Sequence, residues 1–384
     1  MNVQVRPQLL EWARERASLD TAELATLVGT KAKPAPIDEW EKTGELPLKK
    51  LEVLAAKVHV PLGYLFLEEP PEEPLPLRDF RTLDGNEVSR PSPELIDTIY
   101  ACVRRQDWFR DYLDDIGGEP LRFVGNFTAQ SDTNTVAANI REEVGWTPAE
   151  RAAELNLQRV VGRLATRIEE AGILVMRNGV VGNNTHRPLR PEEFRGFALF
   201  DPIAPLIFVN TADAAVAQLF TLAHELAHIW IGQSALDDVR ILTDLPVERF
   251  CNQVAAEVLV PMEEFRAEWR GLNGGPDELR RLSLRFRVSR FVILIRAFEG
   301  ALIDRETLES RYDDEWHRPF RAGSDSGGGN FYYTQRSRLG RRFAQAVIRS
   351  ARTGQTLMRE AYELLGVKKH ETYVKLAEVM EVPV

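Results

Sequence analysis

Phe220-Thr221-Leu222-Ala223-His224-Glu225-Leu226-Ala227-His228 is the stretch that decides how this 384-residue chain folds and what chemistry it carries. Residues four apart stand one above the other on a helix, so His224 and His228 can both present an imidazole nitrogen to a single ion. Glu225 sits beside the first histidine. From there its carboxylate can reach a water at that ion without being a ligand, take a proton from it as general base, and deliver the proton to a leaving amine. These residue types at this spacing point to the zinc site of a metallopeptidase. Phe220, Leu222, Leu226, Ala227, Ile229 and Trp230 are apolar and bury the helix. The bland alternative is a buried helix whose two histidines are satisfied by hydrogen bonds.

Two histidines and a water leave zinc one protein ligand short. The next expected helix, Pro246 to Val260, offers two carboxylates. With about 100° per residue and Phe250 as zero, Glu248 lies near 160°, Asn252 near 200° and Glu257 near −20°. Glu248 and Glu257 thus point in opposite directions, and only one can face the metal. Glu248 shares its face with Asn252, and Ala255 and Ala256 permit close helix approach, which makes it the preferred ligand. Glu257 is the alternative; otherwise it forms a salt bridge. Asn252 and Glu257 are the candidates for supporting the ligands from behind. His186, His317 and His370 read as exposed.

Outward from this core, 44% hydrophobic residues indicate a globular chain, and the length allows two or three domains. A formal net charge of −9 speaks against a large nucleic-acid surface over the whole molecule. The two cysteines, Cys102 and Cys251, give no disulfide framework and fit a reducing compartment. Charged residues stand where a signal peptide needs an apolar core, and the most apolar stretch is broken by His224, Glu225 and His228, so a cytoplasmic protein without a membrane span is expected. Candidate strands are Ile173–Met176, Gly196–Phe200 and Leu206–Asn210. The acidic, proline-rich run 68–76 and the Gly-rich run 322–329 read as linkers. We therefore divide the chain into 1–72, a small helical domain; 73–147, a linker and helical connector; 148–300, the zinc domain; and 301–384, a C-terminal helical region. Arg338, Arg341, Arg342, Arg349 and Arg352 recur there at near-helical spacing, as a solvated face. The fold class is α+β, mostly helical, with a small sheet beside the zinc helix.

The residues resemble the ImmA/IrrE family of metallopeptidases. The match rests on Ile207-Phe208-Val209-Asn210, on Phe220 to His228, and on Glu248-Arg249-Phe250-Cys251-Asn252 continuing to Pro261, in the family's order and spacing. The resemblance implies a zincin-like core, Glu248 as third zinc ligand, and regulated cleavage of a helix-turn-helix repressor. On this basis substrate is expected to add as a strand at an edge near Leu206–Asn210, with Phe208 and Asn210 as contacts. Residues 1–72 resemble a Cro/C1-type, all-α helix-turn-helix domain. Its expected recognition segment, Lys31 to Lys42, carries Pro34, Pro36, Asp38, Glu39 and Glu41, and residues 1–70 hold nine basic against eleven acidic residues. A phosphate-binding face shows the opposite balance, so DNA binding and protein docking both stay open. The alternative to a regulatory endopeptidase is a DNA-binding regulator or antitoxin with a non-catalytic, peptidase-like sensing domain. Tyr312, His317, Tyr332 and Tyr333 are the candidate oxyanion stabilisers.

Overall fold

The computed structural model describes residues 1–17, 19–71, 91–152, 154, 156–236, 245–270, 275–316 and 330–382. His317, the linker 322–329 and residues 72–76 of the acidic linker lie outside them. The chain forms two compact units, the first ending and the second beginning between Ile99 and Tyr100.

In the first unit β1 (Asn2–Gln4) is followed by α1 (Pro7–Arg16), α2 (Thr21–Val28), α3 (Ile37–Thr43), β2 (Glu45–Pro47), α4 (Leu48–Lys57) and a 3-10 turn at Leu62–Phe66. Asp20 starts α2 as a capping box: its carboxylate accepts from Glu23 N at 2.7 Å, while Glu23 accepts from Asp20 N at 3.0 Å. The helices close over Leu9, Leu24, Trp40, Leu51, Leu54 and Leu65. Arg14 grips Glu41 through two hydrogen bonds of 2.7 and 3.2 Å, tying α1 to α3. The antiparallel pair β1–β2, with Val3 opposite Leu46, adds two strands to a domain expected to be all-α.

The second unit begins within α5 (Pro93–Asp115) and continues with α6 (Thr133–Glu143), α7 (Pro148–Ala152), α8 (Leu157–Glu170), β3 (Leu174–Asn178), β4 (Gly196–Leu199), β5 (Leu206–Asn210), α9 (Ala215–Trp230), β6 (Ala235–Leu236), α10 (Pro246–Leu259), α11 (Met262–Glu268), α12 (Pro276–Phe286), α13 (Arg290–Glu299), α14 (Arg305–Trp316), α15 (Phe331–Leu339), α16 (Arg341–Arg352), α17 (Met358–Leu365) and α18 (His370–Val379). The fold is α+β and mostly helical. One sheet runs in the order β3-β5-β4-β6; β3 is parallel to β5, and β4 is antiparallel to both β5 and β6.

All thirteen residues from Gln218 to Trp230 of α9 are buried. The helix is covered on every side: β4 and β5 lie against it, and α6, α8 and α10 enclose the rest. Helix α8 contributes a single stripe, Val160, Val161, Leu164, Ala165 and Ile168. Helix α6, assigned by sequence to a connector, places Val136, Ala137 and Ile140 in the same core. The C-terminal helices also join this unit, α15 against β3 and α16 against α8. No helix among the described residues is long and apolar enough to cross a membrane.

Candidate metal centre

The packing of α10 against α9 brings the polar residues of this core together: α9 supplies His224, Glu225 and His228, and α10 supplies Glu248 and Asn252. Asp213 precedes α9 and accepts from Ala214 N at 2.7 Å, and its carbonyl accepts from Gln218 Nε2 at 2.8 Å, which fixes the start of the helix. Its last turn is satisfied by a distant segment. Gly125 N and Phe127 N each donate at 3.1 Å to the carbonyls of Ile229 and Trp230. Phe123 stacks on the Trp230 ring at 4.3 Å, and Trp230 Nε1 donates to Asn139 Oδ1 at 2.7 Å. Gly232, with φ of +71°, turns the chain away; a Cβ there would lie 3.0 Å from the Gly125 Cα, so any larger residue is strained by the left-handed backbone and must also push the crossing chain aside.

The two imidazoles meet at their Nε2 atoms, 3.0 Å apart. Glu248 completes a triangle, with Oε2 3.1 Å from His224 Nε2 and Oε1 3.4 Å from His228 Nε2. A tetrahedral zinc ion with ligands at about 2.0–2.1 Å holds those ligands about 3.3 Å apart, so the three edges suit one ion. Two nitrogens and one carboxylate oxygen are also a catalytic rather than a structural donor set. His224, His228 and Glu248 form the one such trio of candidate metal ligands among the described residues. Asn252 Oδ1 lies 3.0 Å from His224 Nδ1. As an amide oxygen it accepts the Nδ1 proton, which leaves the His224 Nε2 lone pair directed at the trio. Burial alone raises the Glu248 carboxyl, but the hydrogen bonds and charge of the two imidazoles outweigh it and hold the group well below the usual carboxylate range. The set is therefore built around an ionised carboxylate.

Residues 168–298 match the peptidase family described as the IrrE N-terminal-like domain. All three members of the trio, with Glu225 and Asn252, fall inside that IrrE-like segment, so the chain carries a peptidase-type domain there. Residues 339–379, in α15 to α18, match a domain of unknown function. No curated protein matches the chain.

Within the IrrE-like domain Glu225 is fully buried against the first residue of β4. A Cβ on Gly196 would come within 2.5 Å of Thr221 Cγ2, 2.7 Å of Phe208 O and 3.2 Å of Glu225 Oε1. Only glycine lets the strand lie this close to the helix. Sequence reasoning missed Gly196, since nothing local marks a glycine at a strand start as facing a carboxylate.

Two expectations are corrected. Glu257 does not stand behind the ligands. Nine residues separate it from Glu248, about half a turn of azimuth on a helix, and it pairs with Arg296 on the other side of α10. It also lies 3.9 Å from Arg141 and accepts from Met262 N at 3.2 Å, at the start of α11. Phe208 and Asn210 do not offer an edge, because β5 is paired with β3 on one side and β4 on the other. Asn210 is buried, its amide donating to Phe194 O at 3.1 Å and its oxygen accepting from Ala212 N at 3.0 Å.

A cavity of about 870 Å³ opens beside the trio between α10, α13 and α14. Its wall includes Phe220, whose ring centroid is 6.5 Å from that of His224, and Asn252. Of the candidate oxyanion stabilisers, Tyr312 lines this cavity, with its hydroxyl pushed up by burial. Tyr333 lines a different pocket and Tyr332 packs on Phe331. His186 is exposed, and His370 Nδ1 pairs with the Tyr362 hydroxyl at 2.9 Å.

Proposed function

We propose that the chain is a zinc-dependent endopeptidase that acts on a protein substrate of repressor type and so regulates transcription or a stress response. The observation that carries this is the meeting of His224, His228 and Glu248 next to the buried Glu225. His224 Nε2, His228 Nε2 and a Glu248 oxygen would hold the ion. Bound zinc supplies the Lewis acidity that makes water a nucleophile near neutral pH. Asn252 keeps the His224 proton on Nδ1. Glu225 is the group able to hold a proton at Oε1 and return it to the departing amine nitrogen. The sheet and α9 exclude bulk water around that carboxylate, and the adjoining cavity is where the substrate chain is received, with Tyr312 the group available to polarise its carbonyl.

The first unit is read as a module that docks the protein partner. Along α3 the exposed residues include Asp38 and Glu39 against Lys42, and Glu41 is held by Arg14, so this face does not present the positive charge that a phosphate backbone attracts. The test is elemental analysis together with cleavage of helix-turn-helix repressors from the same cell, followed by mass spectrometry. One zinc per chain, lost in Glu248→Ala but kept in Glu225→Gln, with cleavage lost in both, is expected. Wild type that takes up no zinc after it is supplied would sink the catalytic reading and leave the regulator with a non-catalytic domain.

A further inference from the structure

A second pocket, of about 230 Å³, lies away from the trio, where α8 and β3 meet α15 and the start of α16. Val175 and Arg177, two apart on β3, face it together, and α8 turns Gly162, Ala165 and Glu169 towards it. Arg336 and Arg341 enter from the C-terminal helices. Three guanidiniums thus converge on one small space with a single carboxylate among them.

Their partners make the imbalance plain. Arg341 is paired with Glu381. Glu169 is occupied as the cap of α16, accepting from Arg342 N at 3.0 Å. Arg177 and Arg336 make no ion pair within 4 Å among the described residues, sharing only the longer-range attraction of Glu169, and the Arg177 Nε is buried without a hydrogen bond. Burial also pulls the Arg177 guanidinium down from its usual range, with Glu169 offsetting only part of that. A charged group taken from water without a partner is strongly unfavourable, and a guanidinium presents its donors in a fork that suits a phosphate or carboxylate.

We propose that this pocket is a binding site for a small phosphate-bearing anion, held by Arg177, Arg336 and Arg341. Arg177 reaches it from the sheet and Arg336 from α15, so the anion ties the C-terminal helices to β3. Tyr333, Ser337 and Thr166 at the rim add hydroxyls for further hydrogen bonds. The space accepts a phosphate with a body of a few carbons and is too small for a nucleic-acid strand.

The test uses the full chain in phosphate-free buffer and needs no peptidase activity. Inorganic phosphate, glycerol 3-phosphate and, at matched ionic strength, chloride are titrated by calorimetry and by thermal unfolding. One saturable site and a rise in Tm are expected with the phosphates and not with chloride. Equal affinity for the two identifies the free ion as ligand, and an ester at least tenfold tighter identifies a phosphorylated metabolite; each outcome supports the site. Arg177→Gln and Arg336→Gln should each weaken binding at least tenfold, while Arg349→Gln leaves it unchanged. Without anion, Arg177→Gln should unfold at the same or a higher temperature than wild type, because it removes a half-buried guanidinium that makes no ion pair within 4 Å. No saturable binding, or binding unchanged in the Arg177→Gln, Arg336→Gln double variant, overturns the proposal.

Discussion

Replacing Asn252 by leucine keeps the number and branching of side-chain heavy atoms on α10 and deletes the oxygen that accepts from His224 Nδ1 at 3.0 Å. His224 is fully buried, so its Nδ1 proton finds no water in exchange. An unsatisfied buried donor costs about 1–3 kcal/mol. The ring relieves that cost by moving the proton to Nε2, the atom 3.1 Å from Glu248, and in that tautomer it can no longer donate a lone pair to a metal. Loss of a partner behind a metal-bound histidine weakens affinity by about 10–100-fold, or roughly 1.4–2.7 kcal/mol. The assay is competition for zinc against a chromophoric chelator of known affinity, with circular dichroism to verify folding. Asn252→Asp, which keeps an acceptor and adds charge, should bind at least as tightly as wild type. A folded Asn252→Leu protein with zinc affinity within twofold of wild type would refute the role of Asn252 as the group that sets the His224 tautomer.

Gly196→Val should retain one zinc per chain yet lose most peptidase activity, because its side chain is driven towards Thr221 and Glu225 Oε1; metal analysis and peptide cleavage on the same sample separate the two effects. Glu257→Gln should retain zinc but lower the unfolding free energy by about 3–5 kcal/mol, the range for breaking a buried ion pair, here with Arg296; urea unfolding measures it. Burial pushes the Cys102 thiol up to about 12, so the native protein should resist alkylation at Cys102 at pH 8, as read by mass spectrometry of the digested protein. Since the folded pKa lies above the unfolded one, this group's contribution to stability is complete below about pH 8.5 and declines as pH rises towards 12, which denaturant midpoints across that range would reveal.

The residues that could be read from the sequence are those whose geometry is local. His224 and His228 are related by one helical turn, and the opposition of Glu248 to Glu257 follows from helical azimuth alone, so both survive without any knowledge of packing. Strand β5 was legible as Leu206–Asn210 because a short apolar run bounded by turn residues is its own signal. Its place in the sheet was not. Strand β4 pairs with β5 as a near neighbour in sequence, but β3 joins the other side of β5 across thirty-two residues, and this distant pairing is what turned an expected edge at Phe208 and Asn210 into a sheet interior. The strands β1, β2 and β6, of three residues or fewer, carry too little periodicity to register. Gly196 against Glu225 and Arg296 against Glu257 are tertiary contacts whose partners nothing in the local pattern names.

The closure of α9 by residues 123–127 sets a limit on how the chain can be shortened. The stretch 168–298 that carries the family resemblance would leave behind the two amides that satisfy Ile229 and Trp230, the ring stacked on Trp230, and the Val136, Ala137 and Ile140 face of α6. An expression fragment cut at residue 168 would expose a large aromatic side chain and an apolar groove to water, the condition under which proteins aggregate. A soluble fragment that keeps the metal site has to start ahead of Leu121, whose own amide is bonded to Pro202 O at 2.8 Å. Exchanging this segment between related proteins requires moving residues 121–143 with it.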